Sequence, residues 1–220
     1  MLELNLLRRY PKSNRSISKR QHAKTDEHIR ISRLYGQEYF DGAREYGYGG
    51  YRYDGRWRAI ADDMIGHFGL EPGMRVLDVG CAKGFLVKDF MLECPGLEAF
   101  GLDISHYAMM TCEPEVVGRL HLGNATSLPF PDDSFDAVIS INTVHNLERD
   151  GVIAALKEIN RVVRDPTKAY VQVDSYRNEA QRELFLDWVL TAYTHDYPDG
   201  WVEIFEEAGY QGCYSWTIIE

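Results

Sequence analysis

The sequence predicts a three-layer α/β/α sandwich: a mostly parallel sheet of six or seven strands, helices on both faces, and an N-terminal helical and loop lid. Three observations lead there. From Met74 onward, short apolar runs alternate with longer amphipathic ones, the pattern of strands joined by crossover helices. The chain has 220 residues, 45% of them hydrophobic, which suits one large domain with a real core. No internal repeat divides it. Residues 1–53 read as a basic arm, a helix and a Tyr/Gly-rich lid; residues 54–220 read as one ligand-binding domain.

The elements follow in order. Residues 8–24 are polar and aperiodic and read as an arm. Thr25 reads as a helix N-cap, with Asp26 and Glu27 in the first turn where the helix dipole favours acids. Residues 42–56 hold four tyrosines and five glycines, a lid-like composition. Trp57, Ile60, Ala61, Met64, Ile65 and Phe68 recur at helical steps, and Gly69 and Pro72-Gly73 end that helix. Strands are predicted at 74–80, 97–105, 120–125, 136–142, 169–175 and 212–219. Helices are predicted at 84–94, 105–112, 150–164, 178–194 and 199–208.

Charge and cysteines exclude several classes. Residues 1–33 carry nine Lys/Arg against three Asp/Glu, net +6, so the remainder holds −16 of the overall −10. An acidic body lacks the basic face a nucleic-acid binder needs. The basic arm reads either as a holder of a phosphate-bearing substrate or partner chain, a homodimer among them, or as a segment packed on neighbouring acidic surface. No apolar run approaches the ~20 residues of a membrane helix, and the N-terminal apolar stretch is too short for a signal peptide, so the expected location is cytoplasmic. Cys81, Cys94, Cys112 and Cys213 show no CxxC pair or zinc spacing and read as free thiols; no metal site is expected.

Four pieces that carry chemistry fall at the carboxyl ends of the first four strands of the alternating region, where such sheets bind ligands. In VLDVGCAKG (76–84), Asp78 closes a strand, and Gly80, Ala82 and Gly84 form the turn into a helix whose N-terminus offers free N–H groups. Asp103, 23 residues after Gly80, either accepts both hydroxyls of a ribose or caps the next helix. Asn124 in GNA (123–125) either meets an adenine edge or makes a turn. SINTVHNL (140–147) places Asn142 and His145 beside the same crevice. A dinucleotide is disfavoured, because the spacing is not GxGxxG and Asp78 would oppose a pyrophosphate.

VLDVGCAKG, GLDIS, GNATSLPFPDDSFDAVIS and EINRVVR…AYVQVDS resemble the motifs of the class I S-adenosylmethionine-dependent methyltransferases, small-molecule branch, over roughly residues 55–210. The resemblance implies a Rossmann-like domain with S-adenosylmethionine as cofactor. It implies that Asp78, Gly80, Ala82 and Gly84 lie along the methionine part and that Asp103 binds the ribose. Ile104 would pack on adenine, Asn124 and Ala125 flank its amine, and Asn142 face the sulfonium side. Three residues depart from the pattern: Ala82 for a glycine, Lys83 for a small or hydroxylated residue, and Asn124 for an aspartate. The family closes its sheet with an antiparallel strand pair; only one terminal strand is visible here, which leaves the sheet a strand short.

The implied reaction is methyl transfer to a small-molecule acceptor. His145 is the first candidate general base and Asp174 the second; each also reads as a packing or capping residue. Tyr46, Tyr48, Tyr51 and Tyr53 would form the lid, or a loop packed on the domain. Leu184, Phe185, Trp188 and Val189 would back the acceptor pocket or belong to a core helix. The same cofactor site would also serve a decarboxylase, lyase or cyclase, or a catalytically silent binding subunit.

Overall fold

The computed structural model describes residues 1–11 and 24–219, so most of the arm read at 8–24 lies outside the described residues. Seven strands form one sheet: β1 (Leu2–Glu3), β2 (Arg75–Val79), β3 (Glu98–Asp103), β4 (Leu120–Leu122), β5 (Ala137–Ile141), β6 (Ala169–Ser175) and β7 (Cys213–Ile218). Their spatial order is β1-β7-β6-β5-β2-β3-β4, and every pairing is parallel. The chain leaves β2 in one direction through β3 and β4. It then returns to β5 and proceeds the other way, so the crevice falls between the tips of β2 and β5.

The helices are α1 (Asp26–Ser32), α2 (Gln37–Asp41), α3 (Arg58–Phe68), α4 (Phe85–Glu93), α5 (His106–Met110), α6 (Arg149–Val162), α7 (Glu179–Trp188) and α8 (Pro198–Glu207). Successive strand residues point to opposite faces, which divides the core in two. Val76, Ala137, Ile139 and Tyr170 pack with Ile60 and Met64 of α3 and Val87 and Phe90 of α4. Leu77, Val138 and Val171 pack with Leu156 and Ile159 of α6 and with Trp201 and Phe205 of α8. Each fully buried Leu, Ile or Phe contributes up to ~1.5–3 kcal/mol, so these stripes fix the helices on the sheet.

Local signals behave as their chemistry dictates. The Thr25 side chain accepts from the His28 N–H and caps α1, and His28 returns the bond to the Thr25 N–H. Gly69 ends α3 in the left-handed conformation, at φ 61°. Two expectations are corrected and one reading is selected. The sheet is not a strand short: its seventh strand is the N-terminal β1, whose Leu2 and Leu4 N–H groups donate to the Gly212 and Tyr214 carbonyls. Two residues are too few for a period-two signal. The helix expected at 178–194 stops at Trp188, where Val189 turns extended. The described flank of the arm packs down: Arg9 pairs with Asp62 at 2.7 Å and Asp63 at 2.8 Å on α3, the acidic-surface reading of that segment.

Candidate active site

The floor of the site is the turn after β2. Gly80, Ala82 and Gly84 all have left-handed backbones, at φ 87°, 49° and 77°. At Gly80 glycine is obligatory: a Cβ there would lie 1.9 Å from the Thr143 Oγ1 at the tip of β5. Asp103 binds this turn to β3. Its Oδ2 accepts the Ala82 N–H and its Oδ1 accepts the Ser105 N–H, each at 2.8 Å. Each carboxylate oxygen keeps a further lone pair for a ligand hydroxyl. Burial raises the Asp103 pKa and those backbone donors oppose the rise.

Above this floor lies a cavity of about 210 Å³. It is lined by Gly80, Ala82, Asp103, Ile104, Asn124, Ala125 and Asn142, all anticipated from the sequence, and by Tyr48 of the expected lid. Ile104 is 56% exposed and offers a bare apolar face to a flat ring. Asn124 lines the cavity and also makes its turn, its Oδ1 accepting the Thr126 N–H at 3.0 Å. Asp78 and Gly84 are not in the lining. Asp78 is buried, and desolvation, with a smaller contribution from the Asp103 charge, pushes its carboxyl up to about 8. Gly84 is the N-cap of α4, with Val116 and Leu120 closest to where its Cβ would be.

The roof differs from expectation. Tyr46 sits edge-on to His28, Tyr51 stacks on Phe85 at 4.5 Å, and the Tyr53 hydroxyl donates to Asp89 at 2.5 Å, so these three brace the lid rather than line the cavity. The roof is instead Tyr48 with Arg33, Tyr35, Tyr39, Phe40 and Tyr193. For Tyr35, Tyr39 and Phe40 the one sequence signal is a clustering of aromatics in 35–53, which carries no period; Arg33 and Tyr193 lie outside it. Lys83, the unusual residue of the turn, is explained here: its Nζ meets Asp41 Oδ2 at 2.6 Å, where Asp41 also accepts from the Tyr107 hydroxyl and the Tyr51 N–H. The roof is thereby tied to the floor.

A second cavity of about 170 Å³ adjoins the first and holds both candidate bases. Asn142, His145, Asp174 and Thr217 form its polar floor, and Trp188, Val189 and Leu190 an apolar wall; Leu184 and Phe185 are absent from the lining. His145 is 4% exposed, and burial lowers its pKa. Burial raises the Asp174 pKa, and nearby His145 opposes that. Among the described residues no cluster suits a metal ion, and no helix is long and apolar enough to cross a membrane. All four cysteines are free.

This geometry fits an adenosine: a bare apolar face at Ile104, a diol acceptor at Asp103 and a close backbone approach at Gly80. Comparison with known proteins agrees. Residues 77–171 match the family model described as "Methyltransferase domain". The chain is 35% identical to the sterol 24-C-methyltransferase ERG6B of Gibberella zeae over 147 residues, 59% of this chain and 38% of that protein. It is 30% identical to the demethylmenaquinone methyltransferase of Symbiobacterium thermophilum over 118 residues, 50% of this chain and 46% of that protein. The chain thus spans less than half the length of these curated relatives. Among solved structures, the YcgJ protein of Bacillus subtilis shares the fold with TM-score 0.55 at 21% identity, covering 67% of this chain and 66% of that one. The Haemonchus contortus phosphoethanolamine N-methyltransferase 2, solved with S-adenosylhomocysteine, gives TM-score 0.56 at 19% identity over 80% of this chain and 41% of that one. The matched stretch runs from β2 into β6 and carries the strand tips that line the cavity. Residues 77–171 are thus similar to a methyltransferase domain, and the fold is one shared with solved methyltransferase structures.

Proposed function

We propose that the chain is a methyltransferase that binds S-adenosylmethionine in the first cavity and methylates a hydroxyl or amine of a small molecule in the second. The observation that carries this reading is that the two cavities adjoin and share Tyr39, Tyr48 and Asn142. A methyl group crossing that boundary passes from the cofactor side to the side of His145 and Asp174. Bound S-adenosylmethionine supplies an already activated methyl: the acceptor atom bonds the methyl carbon, the sulfur–carbon bond breaks, and its electron pair stays on sulfur. What the protein contributes is binding, alignment, exclusion of water and a place for the acceptor's proton.

The hydrogen bonding divides roles between the two candidate bases. The Asp174 backbone N–H donates to His145 Nδ1 at 3.1 Å, so the neutral ring carries its proton on Nε2. His145 then acts as donor and orienter, and the Asp174 carboxylate takes the proton. The polar floor and apolar wall suit a compact acceptor such as a sugar, a natural-product intermediate or another metabolite. The names of the curated relatives, a sterol 24-C-methyltransferase and a demethylmenaquinone methyltransferase, support a small-molecule acceptor.

The experiment is calorimetry with S-adenosylmethionine and S-adenosylhomocysteine, followed by mass spectrometry of incubations with small hydroxyl and amine acceptors. Binding of both nucleosides, with an acceptor gaining one methyl as S-adenosylhomocysteine appears, is the expected result. A different adenosyl product would indicate lyase, decarboxylase or cyclase chemistry instead. Folded protein that binds neither nucleoside would sink the reading.

A further inference from the structure

The boundary between the cavities is narrow in composition: among the described residues that line them, only Tyr39, Tyr48 and Asn142 belong to both. Two of the three are aromatic. From this we infer that Tyr39 and Tyr48, with Asn142, form a collar that reads the charge on the cofactor's sulfur, favouring the sulfonium over the thioether that methyl transfer leaves behind. The inference rests on the proposed function, because it needs the sulfur at the junction where the methyl crosses.

The rings are held, not loose. Tyr39 meets Tyr35, Phe40 and Tyr48 edge-on, at 5.3, 5.1 and 5.2 Å. Tyr48 stacks on Phe40 at 5.8 Å and leans on Tyr51 at 4.2 Å, which in turn stacks on Phe85 of α4. The Tyr48 N–H donates to the Tyr39 carbonyl at 2.9 Å, and Gly47 lets the chain cross there, since a Cβ on it would lie 2.2 Å from that same oxygen. Asn142 adopts φ 52°, sparsely populated for a side-chain-bearing residue, and is kept so by its N–H, which donates to the Gln172 carbonyl and to Gln172 Oε1, each at 3.1 Å. Such enforced strain marks positions that a fold over-determines.

The chemistry gives the collar its direction. Aromatic faces attract a desolvated cation and have no comparable attraction for a neutral sulfur. An amide oxygen adds a negative dipole of the same preference. Methyl transfer discharges the sulfonium, so the collar loosens its hold once the methyl has crossed. It thereby favours exchange of spent cofactor for fresh. It acts on binding of both cofactor states, not on the proton transfer served by Asp174.

The test measures affinities of the full chain for S-adenosylmethionine and S-adenosylhomocysteine by calorimetry in the absence of acceptor. Tyr48→Leu should weaken S-adenosylmethionine relative to S-adenosylhomocysteine by about five- to thirty-fold, while Tyr48→Phe, which keeps the ring, leaves the ratio near that of the parent. Should Tyr48→Leu fail to fold, trifluorinated phenylalanine at position 48 keeps the shape and drains the ring of electrons; the same selective loss is expected. Equal weakening of both ligands, or a ratio unmoved by fluorination, overturns the collar while leaving the cofactor reading intact. No binding of either ligand by the parent protein overturns both.

Discussion

The Asp174 carboxylate oxygen Oδ2 lies 3.8 Å from His145 Nδ1, but that nitrogen is already satisfied by the Asp174 backbone N–H at 3.1 Å. The pair is therefore not a carboxylate holding an imidazolium. Burial favours the neutral form of each partner, lowering the pKa of His145 and raising that of Asp174. Asp174 must be ionised to take a proton, so activity should fall as pH falls through its raised pKa, and the acid limb should lie above the ordinary carboxylate value of ~3.9. Asp174→Asn should cut kcat by about 10²-fold or more with little change in cofactor affinity, and should erase that limb. With the His145 ring neutral, His145→Gln should leave that limb in place. A pH–rate profile of the three proteins decides it; an Asp174→Asn enzyme as active as the parent would remove the aspartate from the chemistry.

Asp78 makes a second, independent prediction. Its carboxyl is pushed up to about 8, so at neutral pH it is mostly protonated in the free protein. A cofactor ammonium placed near it would stabilise the charged form and expel the proton, releasing most of one proton per cofactor at neutral pH. Calorimetry in buffers of different ionisation enthalpy reads this directly, and Asp78→Asn should reduce the release to near zero. The sign for stability follows. A folded pKa above the unfolded ~3.9 means the native state holds the proton more tightly. The free protein should therefore lose stability as pH rises from about 4 to about 8, and cofactor should recover part of that loss.

The turn after β2 permits a contrast between neighbouring substitutions. Gly80→Ala must fit a Cβ 1.9 Å from Thr143 Oγ1 on a backbone at φ 87°. Steric overlap and left-handed strain together should destabilise by about 2–4 kcal/mol. Ala82→Gly goes the other way locally: Ala82 already sits at φ 49°, so glycine relieves strain of about the size that its greater unfolded-state entropy costs, and the net change should stay within about 1 kcal/mol. Urea midpoints of the two variants measure both. A Gly80→Ala protein as stable as the parent would show that the β2 and β5 tips can move apart.

Much of this was legible in the sequence because it is local. Asp103 ends a strand, Gly80 follows one, and Thr25 precedes a helix, and each acts within a few residues of its own element. The lid was legible only as composition. Tyr48 lines the cavity whereas Tyr46 and Tyr51 do not, because the two-turn stretch from α2 to Asp54 has no period that assigns a side chain to a face. Its orientation is decided by distant partners, Phe85 for Tyr51 and His28 for Tyr46. Arg33, Tyr39 and Tyr193 reach the cavity from more than 40 positions away from any of the strand tips at Gly80, Asp103, Asn124 and Asn142, a separation that only tertiary packing can bridge. Gly84 looked like a ligand contact because cap glycines and ligand-approach glycines share a left-handed backbone; which it is depends on Val116 and Leu120, which no local pattern brings to it.

The departure at Lys83 gives the last prediction. Its side chain is 8% exposed, and its partner Asp41, at 2.6 Å, is 27% exposed. The partners are not equivalent. Without Lys83, Asp41 retains the Tyr107 hydroxyl at 2.7 Å and the Tyr51 N–H at 3.1 Å. Without Asp41, a largely buried ammonium loses its counter-charge, with only the Tyr107 ring, 5.6 Å away, to offset it. Asp41→Ala should therefore cost more, about 2–4 kcal/mol, than Lys83→Met, about 1–2 kcal/mol, and the double variant should cost less than the two singles combined. The consequence for function is local. Because Asp41 joins α2, the Tyr51 segment of the lid and α5 to the floor, either substitution should speed amide hydrogen exchange over residues 36–51 far more than over β2 or β5. The cofactor off-rate should rise with it. Exchange that quickens equally throughout the sheet would instead make the ion pair a general fold contact, with no particular hold on the roof.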